Sequence, residues 1–177
     1  HHSENVMFNI MRGGFFVNNG KILIDDFVKF VEMRNKAAVK IIKNISSAVQ
    51  TDDGWTKYDV LSSEIAKLQD AQLTRLFYEY MPIAFSRRHG DPSRPWNRFN
   101  IKLRDDAGNL ILNYEGNWRD IFQNWEALVR SYPQYIKNMC AKFLNAMTPE
   151  GFNPYRISRE GVDWEVPDPD NPWAHIG

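Results

Sequence analysis

Residues 115 to 130 concentrate the side chains that could carry chemistry on a sugar. Placed on a helix at 100° per residue, this stretch puts four apolar side chains on one face, which we expect to be core: Trp118, Phe122, Trp125 and Val129. Asn117, Asp120 and Asn124 then form a narrow polar stripe beside that face. A carboxylate between two amides at the margin of an aromatic face can hold a sugar or orient a water molecule. A structural interpretation competes with this one, because Asn117 suits a helix N-cap and Asp120 suits the first helical turn.

A second acidic stretch lies near the end of the chain. If residues 162–166 are extended, Asp163 and Glu165 share one side and Trp164 takes the other, with the two acidic Cα atoms roughly 6.6 Å apart. Glycoside hydrolysis uses two carboxyl groups about 5–5.5 Å apart for retention and about 6.5–9.5 Å apart for inversion, so the spacing is usable. The alternatives are an acidic loop held by Arg156 and Arg159, or oxygen ligands for calcium.

Composition narrows the function classes. The 177 residues include 22 basic and 22 acidic side chains, so the formal net charge is zero. This balance argues against a protein whose whole surface is positively charged and binds nucleic acid or an anionic membrane electrostatically. No run of 18 apolar residues predicts a membrane span. The single Cys140 cannot form an internal disulfide. We predict that it lies on the apolar side of a helix, where its side chain is buried and fills space in the core.

Sequence fingerprints of cofactor chemistry do not occur. There is no Walker A loop, no dinucleotide-binding glycine motif and no nucleophile-elbow motif, so we expect no cofactor. His and Cys residues are too few for a structural zinc site, and we expect no metal.

The elements that must position these residues are mainly helical. We predict an irregular lead-in over residues 1–24, with a short hairpin between Phe15–Val17 and Lys21–Ile24. Apolar residues at three- and four-residue spacing predict helices in the remaining unit, residues 25–177. Their ranges are 25–49, 58–80, 118–131 and 134–146. Alternation predicts a β-hairpin over 99–114, and short links predict antiparallel helical hairpins. The loop of residues 86–100 contains Arg88. This arginine could bind a carboxylate or phosphate group of a ligand, or it could order the loop through contacts with backbone carbonyls and aspartates.

Two strings carry a family resemblance. They are NWRDIFQNWEAL at residues 117–128 and GFNPYRISREGVDWEVPDPDNPW at residues 151–173. Both resemble large bacterial proteins of the six-hairpin glycosidase type, related to amylo-α-1,6-glucosidases and sugar phosphorylases. The likeness extends through residues 88–100 and 11–16, and so covers most of the chain.

The resemblance implies an α/α toroid, in which six helical hairpins surround a pocket lined by catalytic carboxylates. We predict about four helices, whereas a full ring has twelve, so we expect the chain to be a fragment of a larger protein. Such a fragment should be inactive by itself, and its bare apolar helix faces should make it prone to self-association. We infer a carbohydrate-active enzyme segment that cleaves glycosidic bonds by hydrolysis or phosphorolysis, acting on a saccharide. Candidate residues are Asp120, Glu165 and Asp163 for catalysis, and Trp118, Asn117, Asn124, Trp164 and Arg88 for sugar contact. The alternatives are a non-catalytic helical protein-interaction domain and a sugar binder without chemistry.

Overall fold

Six α-helices and seven short strands build the described part of the chain. The computed structural model describes residues 14–46, 49, 51–84 and 104–164. Its helices are α1 (Ile24–Glu32), α2 (Lys36–Ser46), α3 (Tyr58–Leu68), α4 (Ala71–Glu79), α5 (Trp118–Ser131) and α6 (Ile136–Leu144). Its strands are β1 (Phe15–Phe16), β2 (Ile22–Leu23), β3 (Trp55–Thr56), β4 (Ile83–Ala84), β5 (Glu115–Asn117), β6 (Arg156–Ser158) and β7 (Val162–Asp163). The mainly helical fold with small strand pairs is the one that the sequence predicts.

Each of the first two predicted helices is broken into two. The predicted helix 25–49 stops after Glu32, and the Asn35 carboxamide oxygen caps α2 by accepting hydrogen bonds from the Ala37 and Ala38 N–H groups at 3.0 and 3.1 Å. The predicted helix 58–80 breaks at Gln69, whose φ of 52° is left-handed, and the Asp70 carboxylate caps α4 at 2.7 Å from the Leu73 nitrogen. Asn and Asp compete for backbone hydrogen bonds in this way, which is why they end and restart helices.

The predicted N-terminal hairpin is wrong, although its turn occurs. Asn18 and Asn19 both adopt left-handed φ values, but the strands on either side of the turn do not pair with each other. Strand β1 instead pairs antiparallel with β4, and β2 pairs antiparallel with β3. Two-residue strands carry too little pattern to select a partner, so distant segments decide the pairing.

The remaining helices lie close to their predicted bounds. Helix α5 has the predicted range, whereas the predicted helix 134–146 begins as a 3₁₀ turn at Pro133–Tyr135 and continues as α6. The turn of the predicted 99–114 hairpin is present, since the Asp105 carboxylate accepts hydrogen bonds from the backbone of Ala107 and Asn109. Residues 85–103, and hence most of its first strand, lie outside the described residues.

Aromatic side chains make up much of the core. Tyr58 contacts Phe77 and Tyr135 at ring-centroid distances of 5.0 and 4.7 Å, and Phe27 meets Tyr80 at 5.1 Å. The largest fully buried side chain is Trp125, against which Tyr114 packs edge-on at 4.9 Å. These pairs join α3 to α4 and to the 3₁₀ turn before α6, α1 to the end of α4, and α5 to the segment before β5. Within the described ranges, no helix is long and apolar enough to cross a membrane.

We expect Gly20→Ala to destabilise the fold by about 2–4 kcal/mol. Gly20 has a φ of +77°, and an added Cβ would lie 3.1 Å from Cδ1 of the Tyr132 ring. Gly151→Ala is the matched control, because its φ is +90° but nothing lies within 4 Å of the added atom. Only backbone strain applies there, at about 1 kcal/mol. Urea unfolding of both variants measures the difference, and equal losses would contradict the proposed close packing at Gly20.

Candidate functional site

A three-stranded antiparallel sheet brings the two sequence strings together. Strand β5 pairs with β6, and β6 pairs with β7, so Asn117, Arg156 and Asp163 occupy one row across the sheet. With neighbouring strands about 4.8 Å apart, the backbones of Asn117 and Asp163 stand about 10 Å apart. The Trp118 N–H donates to the Tyr155 carbonyl at 3.1 Å, which extends the pairing to the start of α5. Asn117 and Asp163, on opposite outer strands and more than forty positions apart in the sequence, therefore lie at the same end of the sheet. We refer to this end, where β5 and β7 stop and β6 begins, as the sheet edge.

Arg156 lies between two carboxylates on this sheet. Its guanidinium donates twice to Asp163 Oδ2, once from Nε at 2.6 Å and once from Nη2, and its Nη1 lies 3.6 Å from Glu115 Oε2. Asp163 is 54% exposed, so its carboxylate remains open to solvent on one side. The loop interpretation in which Arg156 holds the acidic stretch is thus confirmed for Asp163. Glu115 belongs to the same cluster, although it is not among the residues predicted for the site. Its position two residues before Asn117 is the one sequence feature that could have indicated this.

The burial of side chains on α5 differs from the burial that the helical wheel of residues 115–130 predicts. Trp118 is partly buried and meets the Phe143 ring at 4.8 Å, and Trp125 is fully buried. Phe122, predicted to be core, is 49% exposed, while Asn124, predicted for the margin, is only 6% exposed. Asn124 is therefore too enclosed to meet a surface ligand. Asp120 lies in the first turn of α5, three residues after Asn117.

The four other residues that the sequence singled out have different outcomes. Arg88 and Glu165 lie outside the described residues. Trp164 is 46% exposed and directly follows β7, so it stands beside Asp163 at the sheet edge. Cys140 was predicted to be buried and is exposed, because α6 turns its other side to the core.

A partly buried polar cluster anchors this sheet to the helices. Asp26 Oδ2 accepts a hydrogen bond from the Tyr80 hydroxyl at 2.6 Å and one from Arg159 Nη2 at 2.6 Å. Arg159 also donates from Nη1 to the Leu112 carbonyl at 2.7 Å and from its backbone to the Tyr114 carbonyl at 2.9 Å. Burial alone would lower the pKa of Arg159, but the hydrogen bond and charge of Asp26 outweigh burial and raise it. Arg159, expected to hold the acidic loop, therefore binds Asp26 instead.

A second polar cluster ties α3 and α4 to α6. The fully buried Asn138 donates from Nδ2 to the carbonyls of Phe77 and Tyr80, both at 2.9 Å, and its Oδ1 accepts from the Tyr58 hydroxyl at 2.7 Å. The Tyr135 hydroxyl donates to the Gly20 carbonyl at 2.9 Å. Burial raises the pKa of Tyr58, Tyr80 and Tyr135, the last two well above the ordinary value of 10.0.

Two clefts flank the ribbon formed by β2 and β3, well away in sequence from the predicted site. One has a volume of about 240 Å³ and is lined by Asn19, Gly20, Lys21, Lys57, Tyr58, Asp59 and Gln134. The other has a volume of about 320 Å³ and is lined by Lys21, Thr51, Asp52, Trp55, Thr56, Lys57 and Val60. Both clefts share Lys21 and Lys57. Sequence reasoning missed this region, because its residues come from three segments that only the strand pairing brings together.

Comparison with known proteins adds no assignment. The sequence matches no protein family and no curated protein.

We expect Asp26→Asn to lower the free energy of unfolding by about 2–4 kcal/mol. The change leaves Arg159, whose side chain is only 17% exposed, without its anionic partner. Asp25→Asn is the matched control, because Asp25 is exposed on the same helical turn and should change stability by no more than about 0.5 kcal/mol. Chemical denaturation measures both variants, and a loss below about 1 kcal/mol for Asp26→Asn would show that the pair contributes little.

We expect the contribution of the buried Tyr80 phenol to stability to be constant below about pH 10 and to fall as the pH rises above it. The phenols of an unfolded chain ionise near pH 10, whereas the folded protein keeps the buried Tyr80 hydroxyl protonated to higher pH. The unfolded state therefore releases protons first, and unfolding becomes more favourable with rising pH. Denaturant titrations between pH 8 and 11.5 should show a shallower decline for Tyr80→Phe and an unchanged decline for Tyr155→Phe, which alters a half-exposed ring. Identical slopes for the two variants would contradict this account.

Proposed function

We propose that this chain is a saccharide-acting segment of a carbohydrate-active enzyme that cleaves glycosidic bonds by hydrolysis or phosphorolysis. The observation that supports the proposal most is the row Asn117–Arg156–Asp163, which unites the two sequence strings at one sheet edge. In this proposal the described helices form part of an α/α toroid, and the sheet edge lies toward its pocket.

The contacts at the sheet edge favour particular roles. Asp163 accepts two hydrogen bonds from Arg156, so it suits the charged role, in which a carboxylate activates a water molecule. The proton donor would be Asp120, in the first turn of α5, or Glu165, two residues after Asp163. The half-exposed Trp164 ring offers an apolar plane for the C–H face of a sugar. The partly buried Trp118 is the second aromatic side chain at this edge.

A second candidate function is the helical protein-interaction domain, and one surface favours it. Ile136, Cys140 and Leu144 are all exposed at four-residue spacing along α6, with Leu144 65% exposed. Phe122 of α5 is also half-exposed, and its ring meets the buried Phe143 of α6 at 5.0 Å. Exposed apolar side chains in a continuous strip are typical of surfaces that bind another protein or a second copy.

Because this segment is expected to be inactive by itself, the enzymatic proposal is tested in the larger enzyme to which we propose that it belongs, where Asp163→Asn should abolish sugar cleavage without unfolding the protein. Turnover of α-glucan oligosaccharides and aryl glycosides, with and without phosphate, should fall by about 100-fold or more, the usual contribution of a positioned acid or base. Glu126→Gln is the matched control, because Glu126 is an exposed carboxylate that also pairs with an arginine, Arg130, at 2.7 Å. Turnover should be unchanged in that variant.

Saccharide binding, measured by calorimetry, separates the candidates when turnover is absent. Binding that weakens in Trp164→Ala supports a sugar site at the sheet edge. A larger protein that neither binds nor cleaves any of these sugars would favour the interaction domain instead, and a self-association of the chain that Leu144→Glu abolishes would locate the binding surface on α6.

A further inference from the structure

The outer face of the β2–β3 ribbon carries two lysines directly opposite each other. Ile22 pairs with Thr56 and Leu23 with Trp55, so continuing the antiparallel register places Lys21 opposite Lys57. Both lysines have extended backbones, with φ and ψ of −70° and 156° at Lys21 and −75° and 147° at Lys57. Ile22 and Thr56 are buried on the inner face. Alternation therefore puts both lysines, together with Trp55, on the outer face.

Like charges in this arrangement destabilise a strand pair unless an anion lies between them. Lys21 is only weakly compensated, since its Nζ lies 3.5 Å from Oδ2 of Asp52, a carboxylate that is 88% exposed. Among the described residues, the Lys57 side chain has no ion-pair or hydrogen-bond partner, whereas its backbone carbonyl accepts a hydrogen bond from the Leu61 N–H at 3.2 Å. The ribbon thus presents two ammonium groups, of which Lys21 has a largely exposed carboxylate partner and Lys57 has none among the described residues.

The surroundings of the two lysines add hydrogen-bond donors and space. Asn19 and Gln134 supply amide groups to the 240 Å³ cleft on one side, and Trp55 lines the 320 Å³ cleft on the other. No side chain caps the start of α3 at Lys57, so its first N–H groups add positive potential near the same place. Asp59 in the first turn offsets part of that potential.

We propose that the outer face of the β2–β3 ribbon binds the phosphate group of a small phosphate monoester between Lys21 and Lys57. The doubly charged phosphate matches two ammonium groups better than a carboxylate does. The clefts on both sides leave room for the remainder of the ligand, which the indole of Trp55 and the amides of Asn19 and Gln134 would contact. This site is separate from the sheet edge of β5, β6 and β7, and it does not depend on the saccharide proposal.

Titration of the full chain with inorganic phosphate at constant ionic strength, followed by amide NMR shifts, tests the site. We expect saturable shifts at residues 19–23 and 55–60. Lys57→Gln and Lys21→Gln should each weaken binding by about tenfold or more, because each removes a charge-assisted hydrogen bond. Lys67→Gln is the matched control, since Lys67 is an exposed lysine on the same helix, and its variant should bind as the wild type does.

A variant with the opposite effect keeps the test independent of folding defects. Asp59→Asn removes a repelling carboxylate that lines the 240 Å³ cleft, and it should tighten phosphate binding by about two- to fivefold. Glycerol 3-phosphate distinguishes a monoester from free phosphate, and it should bind more tightly than inorganic phosphate and lose that advantage in Trp55→Ala. The proposal is overturned by equal weakening in Lys67→Gln, or by no shift up to about 10 mM phosphate, where a millimolar site would be mostly occupied. Equal affinity for the two ligands would overturn the monoester assignment.

Discussion

The carboxylate of Asp26 is the interaction on which the described structure depends most. A single oxygen, Oδ2, accepts hydrogen bonds from Tyr80, 54 residues away, and from Arg159, 133 residues away. The carboxylate and the guanidinium are 19% and 17% exposed, so their attraction is screened less than that of a surface pair. This one contact therefore joins helix α1, the end of α4 and the strand that carries Arg156.

The sheet of β5, β6 and β7 needs such an anchor, because strands of two or three residues are not stable by themselves. Arg159 supplies the anchor at several points, since its side chain holds the Leu112 carbonyl and its backbone holds Tyr114. Arg34 adds a further link by donating to the Arg159 carbonyl, and burial lowers the pKa of Arg34. The geometry of the sheet edge at Asp163 is thus set by residues that do not face it.

Local patterns predicted the helices of this fold, and non-local contacts decided what the patterns missed. Apolar spacing located all four helical regions, but the breaks at Asn35 and Asp70 depend on capping side chains whose effect apolar periodicity does not register. No local pattern marks Asp26 as the member of an ion pair, because its partner Arg159 lies 133 residues away. The convergence of Asn117 and Asp163 likewise follows from strand pairing between segments that are far apart in the sequence, which strands of two or three residues do not specify by themselves.

Tyr80 connects the two surfaces that we propose for ligands. Its hydroxyl binds Asp26, which anchors the sheet edge, and its carbonyl accepts from Asn138 at 2.9 Å. Asn138 in turn holds Tyr58, a residue that lines the cleft beside Lys57. Both surfaces are therefore built on one buried aromatic and polar core, so a substitution in that core would disturb the two together. Surface substitutions such as those of Asp163 and Lys57 separate them, because these side chains touch only their own surface.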